Sequence, residues 1–560
     1  MRWILPEPAD ATLCRALSEE LRLPAFLAEI LCRRGFHTAA EAARFLEPRL
    51  KSLSDPFLLP NMEAAMARIL AALDRRERIA LYGDYDVDGV TSLALFTRVL
   101  RAYGGDPQCF LPLRMEEGYG LSKEGAARCV ETLRPQLVIA VDCGTSSRVE
   151  IAWLRAQGID VMVFDHHECT GGLPDCTAMV NPKLGDGFHY LCSVGIVFKA
   201  AHALLKRRPL PGFDLKECLD LVALGTVADL VPLVEENRIL TKRGLEQIAA
   251  SRWPGVRALV DVAKVEPPIT AGDVGFKLGP RMNAAGRLGA AQEALDLLLT
   301  DDPAMAARLA ASLDAQNQDR RAVEEQVFIE AQTQLAQCFL PDRDAAIIVG
   351  QLGWHPGVIG IVASRISKRH HRPTLVVGFG EDGFGKGSGR SIKGLSLVAA
   401  LAECGHLLEK HGGHEMAAGL TVHTERFTAF REAFGACARR QLTAEDLAPR
   451  LHLDAELKLR EVAVALLDRH AALEPFGMAN AQPTFFARNV DLVGEPRVMK
   501  EKHLSFSLRQ GNLQTRAVWF GGAAETLPRL PWDVAFTVER NEYQGNTSAQ
   551  MQIRAVRTSS

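Results

Sequence analysis

The sequence predicts an α/β chain built in pieces: a doubly wound parallel sheet, a long helical connector, a second and smaller α/β domain, and a C-terminal OB-type β-barrel. Three observations predict it. From Ile79 to about Leu230 short apolar runs alternate with helical patterns, the signature of strands joined by crossover helices. Between about Ala291 and Cys338 almost every residue is a helix former. After about Leu451 six alternating runs separated by turn residues read as strands of a small barrel. With 560 residues there is room for three or four domains. The boundaries fall at 1–60 for a helical N-terminal extension, 61–290 for the parallel-sheet domain, 291–340 for the connecting helix, 341–445 for the second α/β domain and 446–560 for the barrel.

Composition narrows the function. Lys plus Arg number 65 against 68 Asp plus Glu, a net charge of -3, so a polyanion must be held by local basic patches and not by a global field. No run of 18 apolar residues occurs, which predicts a cytoplasmic protein without a membrane span. Twelve cysteines include no C-x-x-C pair, against a zinc ribbon and for reduced, buried thiols.

In order, LSEELRLPAFLAEILCRRG and TAAEAARFLEP read as short helices with no recognisable chemistry. The run IALYG is a buried strand followed by a helix over Val90–Arg101. QCFLP precedes a helix near Lys123–Leu133, and LVIAVD leads into a helix opened by a capping box, Ser147-x-x-Glu150. DVMVFDHH follows, then helices over Val194–Lys206 and Lys216–Val227. The Ala-rich stretch to Cys338 is expected to bridge domains and not to sit in a core. The second α/β unit runs through AAIIVG, IGIVASRISKRH, TLVVGF, a glycine-rich loop, a helix over about Leu395–Lys410, and HGGHEMAAGL.

The stretch YGDYDVDG carries Asp84, Asp86 and Asp88 at alternate positions directly after a strand. Carboxylates this close repel one another unless protonated or bound to a hard cation. DYDVDG also matches the first half of an EF-hand loop, but the twelfth residue is Leu95 where a bidentate Glu is required. A solvated acidic turn is the plain alternative. Asp142 closes LVIAVD and His166 and His167 close DVMVFD, so all are expected at carboxyl ends of parallel strands, where such sheets bind ligands. Each alone could be a helix cap or a polar loop; their coincidence points to a site. Asp229 ends the apolar helix LDLVALGTVADLV, where its charge opposes the helix dipole and calls for a cation. Carboxylates mixed with imidazole suit Mn²⁺ or Mg²⁺ better than Zn²⁺, and a pair of such ions is common machinery for hydrolysing phosphoesters.

GDYDVDG, VDCG, DHH and ADLVP, with RMNAAGR, GWHPGVIGIVASR, GSGRS and GGHEMAAG, resemble the DHH phosphoesterases, and among them the bacterial single-strand-specific 5′ to 3′ DNA exonucleases. The resemblance covers the chain from about Ile79 onward. It implies two ions, Mn²⁺ or Mg²⁺, held by Asp86, Asp88, Asp142, His166 and Asp229, with Asp142 as the bridge, Asp84 as a further ligand or support, and His167 against the scissile phosphate. Cations for the DNA backbone are sought in Arg114, in Arg281 and Arg287 flanking Asn283, and in Ser388 with Arg390, because the planar guanidinium grips two phosphate oxygens. The resemblance places Arg287, Ser388 and Arg390, with Gly412, Gly413 and His414, at a pocket for a terminal 5′ phosphate. Gly380 through Lys386 fits G-x-x-x-x-G-K, but Gly387 stands where a nucleotide-binding loop has Ser or Thr, so glycine amides approaching a phosphate are the expected use of that loop.

In the barrel, Phe485, Phe486, Phe506 and Trp519 interleave with Arg488, Arg497, Lys500, Lys502, His503, Arg509 and Arg516, a composition suited to stacking bases and tracking phosphates, with about half the aromatics expected in the core. The domains together are expected to exclude duplex DNA. The resemblance further implies a monomer working with a single-stranded-DNA-binding protein and a repair helicase. A shorter DHH oligonucleotidase or nucleotide phosphatase, and an inactive replication scaffold, are the alternatives; the barrel weighs against the first and the complete carboxylate set against the second.

Overall fold

The computed structural model describes residues 1–113, 120–169, 171–288, 291–543 and 546–559, without the side chains of 287, 288, 542, 543 and 546. The chain forms two compact units. One comprises Trp3–Gly279, Leu298–Pro303 and Leu451–Ser560; the other comprises Met1–Arg2, Pro280–Leu297 and Ala304–Arg450. No helix among the described residues is long and apolar enough to cross a membrane.

The first unit contains a five-stranded parallel sheet of β1 (Ile79–Gly83), β2 (Gln108–Phe110), β3 (Leu137–Val141), β4 (Asp160–Phe164) and β5 (Ala178–Val180), in the order β2-β1-β3-β4-β5. Both faces are covered, as continuous apolar strands require. On one face Ala80, Tyr82, Val138, Ala140, Val161 and Val163 pack with Ala126, Cys129, Ile151 and Leu154 of two crossover helices. On the other, Phe96 of α1 (Val87–Ala102) meets Phe164 edge to face at 5.3 Å. The capping box expected at Ser147 is not formed: Ser147 caps its helix without a side-chain bond, and its hydroxyl donates to the Leu121 carbonyl instead.

The C-terminal strands close a barrel. β11 (Phe485–Met499), β12 (His503–Gln510), β13 (Leu513–Trp519), β15 (Asn546–Thr558) and β14 (Trp532–Tyr543) follow in that order, and β14 pairs back onto β11. The N-terminal helices contribute Leu17, Leu27, Ile30 and Leu31 to the same core as Phe485, Trp532 and Phe536, so the first and last segments of the chain bury one another's apolar surface. Phe485, Phe486 and Phe506 are all buried, which gives the core more of the barrel aromatics than the even division the sequence suggests.

The second unit holds a mixed sheet of β6 (Ile347–Leu352), β7 (Thr374–Phe379), β8 (Phe384–Arg390), β9 (Lys410–Gly413) and β10 (Ala417–His423), in the order β9-β10-β8-β7-β6. Four expectations change here. The connector is broken at Thr300–Asp302 into Gln292–Leu299 and a 36-residue helix, Pro303–Cys338. Its C-terminal part does belong to a core, because Val327, Ala331 and Leu335 pack with Val358, Ile359 and Val362. The helix expected over 395–410 stops at Glu403, since Gly405 ends it and Lys410 already starts a strand. The glycine-rich loop is largely β8, an internal strand with both edges paired.

Candidate metal centre

Gly83 lies opposite Val141 in the ladder, so Asp84 and Asp142 leave the carboxyl ends of adjacent strands. Between β1 and β3 the strand order reverses, the position at which open α/β sheets leave a crevice. Asp86 caps α1 by accepting from the Gly89 amide at 3.1 Å, which starts the helix at Val87, three residues earlier than the pattern predicts. Asp88 therefore stands in the first helical turn and not on the strand end. A Cβ on Gly89 would lie 2.4 Å from the Asp84 carbonyl oxygen, so the glycine that closes DYDVDG is a steric requirement. Asp142 adopts φ 62, a backbone state costly for most side chains and milder for Asp. Asp229 caps the C-terminus of α3 (Leu219–Ala228).

These side chains converge. Asp88 accepts from the Ser193 and Val194 amides, at 2.7 and 2.9 Å, at the N-terminus of α2 (Ser193–Arg207), and Ser193 Oγ donates to Asp142 Oδ1 at 2.9 Å. His166 Nε2 lies 3.4 Å from Asp142 Oδ1, 3.5 Å from Asp229 Oδ2 and 4.0 Å from Asp88 Oδ2. Burial and the neighbouring His167 hold His166 down to about 4, so its ring is neutral and its Nε2 is open to a cation. Burial followed by carboxylate repulsion raises Asp84 to about 8, Asp88 to about 6 and Asp229 to about 9, and lifts Asp142 well above the usual range. His167 behaves oppositely. Burial would lower it, but the 2.7 Å bond from Nδ1 to Asp165 Oδ1 prevails and raises it to about 9, leaving the ring positively charged.

The donor set fits divalent cations. Among the described residues both Asp84 oxygens, His166 Nε2 and Asp229 Oδ2 are buried without a side-chain hydrogen-bond partner, a costly state that a metal would relieve. Asp84, Asp86 and Asp142 bring one ligand atom each within 4.8 Å of one another; so do Asp142, Asp165, His166 and His167, and so do Asp88, Cys192 and Asp229. Asp142 belongs to two of these groups, which suits a carboxylate shared between two ions. Burial, then the charges of Asp88 and Asp229, push the Cys192 thiol well above its ordinary value; the carboxylates and imidazole that dominate the three groups are a donor set for Mn²⁺ or Mg²⁺.

The phosphate candidates fare unequally. Arg114 lies outside the described residues, as does the side chain of Arg287. Arg281 is engaged by Asp314 at 2.8 Å, and Asn283 is half-buried on the Gly279–Leu288 helix. Ser388 and Arg390 share one face of β8, with Arg390 Nη1 donating to Ser388 Oγ at 3.2 Å and to the Gly389 carbonyl at 2.7 Å. Cross-strand register sets Ser388 opposite Gly419 and Gly419 opposite Gly412, while Arg390 faces Ala417, whose carbonyl accepts from the His414 amide. Gly412 and Gly413 thus lie on β9, two strands from the Ser388–Arg390 pair with β10 between, and His414 follows directly after β9. The β8 glycines serve packing and not amide contacts to phosphate: Cβ atoms on Gly385, Gly387 and Gly389 would come within 2.6–2.7 Å of Phe379, Leu420 and Leu375, and the strand's amides are already in ladders.

Sequence reasoning missed Ser193, Val194 and Asp165. Nothing local marks Ser193 and Val194, which reach Asp88 only through the fold. Asp165 was legible in principle, since an aspartate before two residues whose amides it can accept is an Asx turn; its Oδ1 takes both His166 and His167 amides and its Oδ2 takes Thr145.

A crevice of carboxylates around a neutral imidazole at the switch point of a parallel sheet defines a metal-dependent phosphoesterase of the DHH class. Residues 78–226 match the DHH family, N-terminal domain, residues 344–440 the DHHA1 domain and residues 453–555 the RecJ OB domain. The chain belongs to the RecJ family. It is 37% identical to the single-stranded-DNA-specific exonuclease RecJ of Dickeya dadantii (strain 3937) over 95% of this chain and 96% of that one. It is 36% identical to the protein of the same name from Escherichia coli (strain K12), over 96% and 97%. RecJ from Thermus thermophilus in complex with Mn²⁺ aligns with a TM-score of 0.86 at 32% identity, covering 100% of this chain and 80% of that one.

Proposed function

We propose that this protein degrades single-stranded DNA from the 5′ end to mononucleotides in DNA repair and recombination, by phosphodiester hydrolysis at a centre of two Mn²⁺ or Mg²⁺ ions. The observation that carries the reading is the set of buried polar atoms of Asp84, His166 and Asp229 that have no hydrogen-bond partner among the described residues and that cluster with Asp142. Asp84, Asp86, Asp88, Asp142, His166 and Asp229 would hold the ions, with Asp142 as the carboxylate they would share. When bound, the ions supply an activated water and offset charge on the reacting phosphate. The amides of Ser193 and Val194 fix Asp88, and Ser193 Oγ fixes Asp142, so both carboxylates are oriented before substrate arrives. His167, kept protonated by Asp165, offers its charge to the scissile phosphate.

Ser388 and Arg390, with Gly413 and His414, receive the terminal 5′ phosphate; among the described residues no carboxylate is bonded to Arg390, which leaves its charge for an anion. Arg281 and Asn283 remain secondary candidates, as do Arg114 and Arg287 outside the described side chains. The protein acts in the cytoplasm as a monomer, with a single-stranded-DNA-binding protein and a repair helicase as partners. The RecJ OB domain match does not favour a short-substrate oligonucleotidase, and the intact carboxylate set does not favour an inactive scaffold. The test is Mn²⁺-dependent release of mononucleotides from long single-stranded DNA labelled at either end. The 5′ label is expected first, and Asp142→Ala is expected to retain less than about a tenth of the turnover. Release of the 3′ label first, or none, would refute the reading.

A further inference from the structure

Among the described residues no large apolar side chain is as exposed as Phe276, at 86%. It lies in the middle of a π-helical turn, Val274–Leu278, whose flanking Val274 and Leu278 are fully buried. A π turn is an uncommon distortion that recurs at functional sites, and this one packs against the end of α3. Cβ atoms on Gly275 and Gly279 would stand 3.9 Å from Val227 Cγ1 and 3.6 Å from Ala228 Cβ, the two residues before Asp229. On the other side of Asp229, Leu230 is 67% exposed and adopts φ 60, a left-handed backbone that is strained for a branched side chain. Two apolar side chains thus face outward around one metal-binding carboxylate, where folding alone gives no reason for either.

We propose that the exposed ring of Phe276, supported by Leu230, is a platform on which a base of the single strand stacks beside the metal centre. The inference rests on the exonuclease reading above. Around five aspartates, further basic groups for holding the strand would be drawn into ion pairs, whereas stacking needs no charge. It also accepts every base, because each has a flat π face, as an exonuclease without sequence preference requires. The barrel aromatics Phe485, Phe486 and Phe506 are buried and do not offer such a surface. Phe276 is a positioning residue: it holds the strand so that the phosphate reaches the reacting atoms.

The experiment compares the full-length parent with Phe276→Ala and Phe276→Trp, measuring initial rates on a 5′-labelled single-stranded oligonucleotide with Mn²⁺. Phe276→Ala should raise KM about tenfold, the size of one base–aromatic stack, with the loss falling on KM and not on kcat, and Phe276→Trp should restore KM to within about twofold. An abasic nucleotide near the 5′ end should slow the parent about tenfold and slow Phe276→Ala little further, since the partner of the stack is already missing. An unchanged KM in Phe276→Ala, a Phe276→Trp variant as impaired as Phe276→Ala, or losses from variant and abasic site that simply multiply would each overturn the platform. A parent that does not degrade single-stranded DNA removes the exonuclease reading and the platform with it; a parent that does, beside an indifferent Phe276→Ala, removes only the platform.

Discussion

Replacing Asp142 by Asn should make the metal-free protein more stable while destroying its activity. Asp142 is 1% exposed, and its carboxyl is held far above the usual range by burial first and then by Asp88, Asp86, Asp84 and Asp229. In the unfolded chain the same group ionises near pH 4. Between that value and its native one the folded state binds the extra proton, so stability without metal falls as pH rises, by about 1.4 kcal/mol per pH unit for one group. An amide does not titrate, still accepts from Ser193 Oγ, and tolerates the φ of 62. As pH rises from about 5 toward neutrality the Asn variant should therefore gain on the parent, and each kcal/mol gained widens the gap in melting temperature by roughly 2 to 4 °C for a domain of this size. The assay is thermal unfolding in EDTA across that range, repeated with Mn²⁺. Metal should raise the parent most at the higher pH, where displacing the protons held by the carboxylate cluster costs least, and should raise the variant less. A gap that stays constant with pH, or a variant less stable than the parent near neutrality, would refute the assignment of Asp142 to a repulsive carboxylate cluster.

Asp165→Asn should remove the charge that keeps His167 protonated, so that kcat/KM falls about tenfold or more near pH 8 and recovers as pH is lowered toward 6; pH–rate profiles of the two proteins check the direction. Arg390→Ala should abolish a preference for 5′-phosphorylated over 5′-hydroxyl oligonucleotides, a loss of about tenfold in kcat/KM on the phosphorylated substrate alone. Gly389→Ala, whose Cβ would meet Leu375 at 2.6 Å, should cost about 1–3 kcal/mol in denaturant unfolding, whereas Gly412→Ala, with nothing within 4 Å, should stay within about 0.5 kcal/mol. Equal effects would mean that the β8 glycines are not there for packing.

Much of the centre was legible because its residues are tied to local pattern. An apolar strand followed by Asp fixes a carboxylate at a strand end, and three such ends in a row, at Asp84, Asp142 and His166, fix a shared edge once the sheet is parallel. The same local reasoning failed wherever a residue's role depends on a distant neighbour. The glycine-rich stretch from Gly380 to Ser391 read as a loop because glycine spacing cannot report Phe379, Leu420 and Leu375 pressing on Gly385, Gly387 and Gly389 from adjacent strands. Nor does anything in the segment around Arg281 announce its ion pair with Asp314.

The sequence by itself determined the alternation of strand and helix, the strand-end positions of Asp84, Asp142, His166 and His167, and the need for a cation among crowded carboxylates, since period, caps and charge act over a few residues. Only the tertiary structure decided that Asp88 is gripped by the Ser193 and Val194 amides, that His166 is neutral while its neighbour His167 is charged, and that Phe276 points into solvent near Asp229. Protonation and exposure are set by whatever the fold brings within a few ångströms, and that proximity is not written in any one stretch of the chain.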